Sequence, residues 1–144
     1  MIKTLPDKWV RKAVYDAIND MVVDGIEIPC YDTRVVANGG TNHYVLMNTQ
    51  TNTVDKATKC ENSYESSILL DIVTSYDGAG NTGSRLLADN ISDKVRELTD
   101  DLTLDVASGL TILRQTQDFP NDIATITDTE NVFRKFVRLE LYIN

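Results

Sequence analysis

The chain has 144 residues, 22 acidic and 14 basic side chains, one histidine and a formal charge of −8, with 42% hydrophobic and 25% charged residues. That is the make-up of a single globular domain, able to bury roughly two-thirds of its unfolded surface without metal or disulfide staples. So negative a balance argues against a nucleic-acid grip built on phosphate attraction. No apolar run approaches the roughly 20 residues of a membrane helix. Met1-Ile2-Lys3-Thr4-Leu5-Pro6 also lacks an apolar stretch of signal-peptide length. The expectation is an intracellular protein, or one released by lysis.

The first element is a helix over residues 6–21. Trp9, Val10, Ala13, Val14, Ala17, Ile18 and Met21 recur at three- and four-residue steps, while Lys8, Arg11, Lys12, Asp16 and Asp20 lie mainly off that stripe. Thr4 and Asp7 have capping-box spacing, and Pro6 sits in the first turn, where a missing N–H costs nothing. Gly25 ends the region. Ile26-Glu27-Ile28 alternates as a short strand, confined by Pro29 to an edge or an end.

Asn38-Gly39-Gly40-Thr41-Asn42 is a turn cluster, followed by a strand over 43–49. Residues 50–66, polar around Cys60, are expected to form a long surface loop. Residues 67–76 form the strongest strand, with Ile68, Leu70 and Ile72 on one face and Leu69 and Val73 on the other. Apolar on both sides at its centre, it belongs inside the sheet.

A second helix spans 84–98, burying Leu87, Ile91, Val95 and Leu98 and turning Arg85, Asp89, Asp93, Arg96, Glu97 and Asp100 outward. Strands over 110–116 and 132–143 close the chain; in the last, Val137, Leu139, Leu141 and Ile143 alternate with Arg138, Glu140 and Tyr142. The fold class is α+β: one domain over residues 1–144, with two helices packed on one face of a mainly antiparallel sheet.

Several patterns invite chemistry. Gly78-Ala79-Gly80-Asn81-Thr82-Gly83 satisfies GxGxxG between a strand and a helix, which raises the alternative of a small nucleotide-binding enzyme. Against it, Ser84 and Arg85 stand where a phosphate loop needs lysine, Asp77 adjoins the loop, and no second strand follows at the required distance. A flexible connection accounts for these glycines. Asp89, Asp93 and Glu97 recur every four residues along helix two, flanked by Arg85 and Arg96. Solvated carboxylates of that kind read as an exposed or interfacial stripe rather than a catalytic pair.

His43 has no oriented nucleophile in its sequence context and reads as a strand-edge histidine. Cys30 and Cys60 have no CxxC partner and read as reduced thiols, though a fold that joined them would permit a bridge. No ligand set for zinc is present, and no cofactor is implied. Arg134, Lys135 and Arg138 form a cationic cluster beside Phe133 and Phe136. Asp89, Asp93, Glu97, Arg134, Lys135, Phe136 and Arg138 are the candidates for a subunit interface, since arginine and aromatic residues are enriched in interface cores.

Taken in order, the opening helix, the strand Tyr44-Val45-Leu46-Met47, the internal strand Ile68-Leu69-Leu70-Asp71-Ile72-Val73, the helix carrying Leu87-Ala88-Asp89-Asn90-Ile91 and Lys94-Val95, and the closing Phe136-Val137-Arg138-Leu139-Glu140-Leu141 resemble the tail-terminator, or tail-completion, family of tailed bacteriophages. The chain departs from the family in having Asn42-His43 where a proline often precedes the Tyr-Val strand, and in its long polar stretch. The resemblance implies a structural virion protein of the tail or neck, with no catalytic residues to carry over. It implies a homo-oligomeric ring of six or twelve copies, contacts with other tail, neck or portal-proximal proteins, and assembly in the bacterial cytoplasm. DNA would pass through without specific binding, and no membrane is involved. An acidic ring suits a DNA conduit because like charge keeps the duplex from sticking; a lumen lined by lysine and arginine would contradict this.

Overall fold

The computed structural model describes residues 5–32, 42–55, 63–77, 83–127 and 129–144. In chain order the elements are α1 (Asp7–Ile18), β1 (Met21–Val23), β2 (Ile26–Ile28), β3 (Cys30–Asp32), β4 (His43–Asp55), β5 (Ser63–Asp77), α2 (Leu86–Leu98), a 3₁₀ turn (Val106–Ser108), β6 (Ile112–Asp118), β7 (Asp122–Ile126) and β8 (Glu130–Ile143). The α+β class is as expected.

α1 is shorter than its apolar stripe suggested. Asn19 turns to extended geometry and Asp20 takes a positive φ of 60°, so Met21 falls in β1. β1 and β2 form a hairpin whose two-residue loop, Asp24-Gly25, has positive φ at both positions, the geometry that matches strand twist. Thr4 lies outside the described residues, and the helix opens at Pro6 without a side-chain cap.

The main sheet has the order β3-β4-β5-β8-β6, with β7 also on β8. Every pairing is antiparallel except β3 with β4. The expected loop over 50–66 is corrected: residues 50–55 continue β4 and residues 63–66 open β5. Its remaining part, 56–62, and the turn residues 38–41 lie outside the described residues. Polar residues suit this stretch as a strand because their partners are polar: Gln50 Nε2 donates to the Asp7 carbonyl (2.9 Å), Arg11 donates to Gln50 Oε1 (2.7 Å), and Ser66 donates to Asn52 Oδ1 (3.2 Å). A one-residue irregularity between Met47 and Gln50 offsets the two halves of β4.

Both helices cover one side. Val10, Val14 and Ile18 of α1 and Ile91 and Val95 of α2 are fully buried, as are Val45, Ile68, Leu70, Ile72, Val137, Leu139 and Ile143 of the sheet. β5 lies between β4 and β8, as its two apolar faces required.

Candidate functional site

Strand alternation sends Leu69, Asp71 and Val73 of β5 to the side away from the helices. In register beside them are Tyr44 and Leu46 of β4 and Arg134, Phe136 and Arg138 of β8, with Tyr31 of β3 next to Leu46. Among the described residues no helix covers this face. Leu46, Leu69, Tyr44 and Phe136 are nevertheless only half-exposed, and Val73 is buried. A band of apolar and aromatic groups therefore runs across the open side.

At its centre lies an ion pair. The Asp71 side chain is 1% exposed and the Arg134 side chain 38%. Arg134 grips it with both forks, Nε to Oδ1 at 3.3 Å and Nη2 to Oδ2. The guanidinium also stands 5.3 Å from the centroid of the Phe136 ring. The Asp71 hydrogen bond raises the Arg134 pKa above its ordinary value. Burial, and then the Asp71 charge, push the Tyr44 phenol up. Tyr44 in turn meets Tyr31 edge-on, 5.9 Å between centroids. Toward β6 the face becomes polar, around a shallow depression of about 270 Å³ lined by Thr51, Thr53, Glu65, Ser67, Arg114 and Tyr142 among others.

The interface candidates from the sequence split between the two sides of the sheet. Arg134, Phe136 and Arg138 belong to the open face, Arg138 lying 3.8 Å from Asp118. Lys135 turns to the helix side, where its Nζ donates to Asp89 Oδ1 at 2.9 Å and lies 3.8 Å from Asp122. That hydrogen bond raises the Lys135 pKa, with Asp122 and Asp93 adding attraction. Asp93 and Glu97 stand exposed farther along α2, Glu97 beside Lys94 at 3.7 Å. The acidic helix and the basic strand thus meet inside one subunit at Asp89 and Lys135.

Gly78, Ala79, Gly80, Asn81 and Thr82 lie outside the described residues. Gly83 has φ +95°, and its Cα presses on the Tyr76 ring so closely that a Cβ would overlap it. Backbone conformation and packing explain that glycine. His43 opens β4 with its ring 5.1 Å from that of Tyr76, and burial lowers its pKa. Cys30 is buried and its thiol is pushed up to about 12, chiefly by burial; Cys60 lies outside the described residues. Among the described residues no group of three or more His, Cys, Asp and Glu is placed to hold a metal ion, and no helix is long and apolar enough to cross a membrane.

Sequence reasoning missed Asp71, and with it Tyr31, Tyr44, Leu46, Leu69 and Val73 of the same face. Asp71 stands between Leu70 and Ile72 in an otherwise apolar strand, and a carboxylate in an internal strand demands a partner. The alternation of β8, which sets Arg134 on the side opposite Val137, supplies that signal. The chain matches no protein-family model, and no curated protein matches its sequence.

Proposed function

We propose that the chain is a structural subunit of a bacteriophage tail or neck, assembling with copies of itself into a ring that joins or terminates tail segments around the DNA channel. The work is done by contact rather than turnover, and the finished protein resides in the virion. Copies number six or twelve, adjoining tail or portal-proximal proteins complete the contacts, and DNA passes without specific binding.

The observation that carries this reading is the open sheet face. Half-buried aromatic and apolar groups, held in place by the Asp71–Arg134 pair, form a shaped and rigid surface of the kind that docks another protein. The order of elements, from opening helix to alternating last strand, supports the family resemblance. The charge of −8 suits a conduit wall that DNA slides past.

Light scattering coupled to chromatography over a range of concentrations tests it, with electron micrographs of the same material. A closed ring of six or twelve copies is the expected result. A monomer at every concentration overturns the reading.

A further inference from the structure

Between α1 and the chain that leaves α2 runs a groove of about 530 Å³. Its floor is apolar, made by Ala13 and Ala17 on α1 and by Leu98, Leu102 and Leu104 opposite them. Leu102 and Leu104 belong to the core, and the other three pack against it. Alanines one helical turn apart leave the space that longer side chains would fill. Val106, in the 3₁₀ turn, stands beside the groove at 94% exposure, the highest of any large apolar residue described.

The wall facing α1 is held in place by β6. Gln115 Oε1 accepts the Leu102 N–H (3.3 Å), while Gln117 Nε2 donates to Thr99 Oγ1 (3.0 Å) and to the Arg96 carbonyl (3.0 Å). Asp105 Oδ1 accepts the Ala107 N–H (2.9 Å), which fixes the turn that carries Val106. The groove is therefore formed in advance, and an occupant loses little to ordering it. Its rim is acidic. Asp16 and Asp105 share a single ammonium, Lys12 Nζ, at 2.9 and 3.7 Å. Asp101 also lines the groove and makes no ion pair among the described residues, so three carboxylates stand against one cation.

We infer that this groove seats an amphipathic helix of another protein, one that buries leucine-like side chains between α1 and residues 98–106 and carries lysine or arginine along its flanks. Charge decides the occupant. Lysine and arginine complete the rim carboxylates, whereas a phosphate backbone or an anionic lipid surface is repelled by them. A second copy is disfavoured for the same reason, since each chain carries −8. A helix suits the shape: small residues on α1 let its backbone approach, and an apolar stripe at three- and four-residue steps matches the floor. The groove lies in the helix layer, so this contact is separate from the open sheet face and does not depend on the ring.

The probe is a labelled peptide of leucine and lysine, about 18 residues long so that it can hold a helix, with its leucines on one face. Binding is followed by fluorescence anisotropy at physiological ionic strength, where charges more than about 8 Å away are screened. The parent is expected to bind, and Asp101→Lys and Val106→Ser to bind about fivefold more weakly, the effect of one exposed ion pair or of part of a valine side chain. Both positions are exposed, so neither change disturbs the core. Glu130→Lys makes the same charge change at the end of β8 remote from β6, and is expected to bind like the parent. Equal weakening by Asp101→Lys and Glu130→Lys overturns the inference, because the attraction then belongs to net charge alone. A leucine–glutamate peptide that binds as well, or a parent that ignores the lysine peptide at millimolar concentration, also overturns it. Self-association of the parent that Asp101→Lys abolishes gives the groove to a second copy, and overturns it in that direction. A parent that binds the peptide yet stays monomeric upholds the groove while the ring reading falls.

Discussion

On the covered side of the sheet, Ile68, Leu70, Ile72, Val137 and Leu139 meet the helices with no exposed surface at all. On the open side the same two strands present Leu69, Asp71, Arg134, Phe136 and Arg138, one residue out of step. The first side supplies free energy through loss of apolar surface to water. The second surrounds a carboxylate with apolar groups and then neutralises it, which costs desolvation and yields a defined shape. Stability is thus concentrated on one side and specificity on the other.

The largest effect should separate the two sides cleanly. Leu70→Ala, on the covered side, is expected to destabilise by about 3 kcal/mol in urea unfolding. Leu69→Ala, its neighbour on the open side, is expected to cost less than half of that and to weaken assembly more. Equal losses would erase the distinction.

Next comes the ion pair, where the two partners differ in burial. Arg134→Met leaves the enclosed Asp71 carboxylate without its counter-charge and should cost about 2 kcal/mol, discounted for the half-exposed guanidinium. Asp71→Asn leaves an arginine that reaches water, and should cost less. Chemical denaturation of the two variants checks the order.

Gly83→Ala is expected to cost 1–2 kcal/mol, roughly, because a positive φ and the Tyr76 ring both oppose a side chain. In Tyr76→Ala the steric part should disappear and the conformational part remain, which a double-mutant cycle resolves.

The smallest effect is pH-dependent. Burial holds His43 below its ordinary 6.5. The unfolded chain therefore takes up a proton first, so this contribution is complete above pH 6.5 and is lost as pH falls through the lowered value. Thermal midpoints measured from pH 8 to pH 5 should fall less in His43→Gln than in the parent.

Much of this architecture can be read from spacing. The stripes of α1 and α2, the two-sided β5 and the alternating β8 all rest on periodicities that burial alone dictates. The misplaced parts have a common physical cause, in that their strand character comes from partners distant in sequence. Thr51, Asn52 and Thr53 look like a loop until β5 is set beside them. β7 is five residues following Pro120-Asn121, and only β8 makes it a strand. The Asp71–Arg134 pair joins positions 63 apart: strand alternation puts each residue on its face, and only the pairing of β5 with β8 brings the two together.

The irregularity between Met47 and Gln50 has a genetic corollary. Asn48 and Thr49 together stand opposite the single residue Leu69, so deleting one of them would leave a regular ladder with Gln50 still opposite Ile68. Deleting Thr51 instead would move every later residue of β4 to the other face, turning Thr53 toward the helices. A single lost codon should therefore be tolerated at the irregularity and harmful just beyond it.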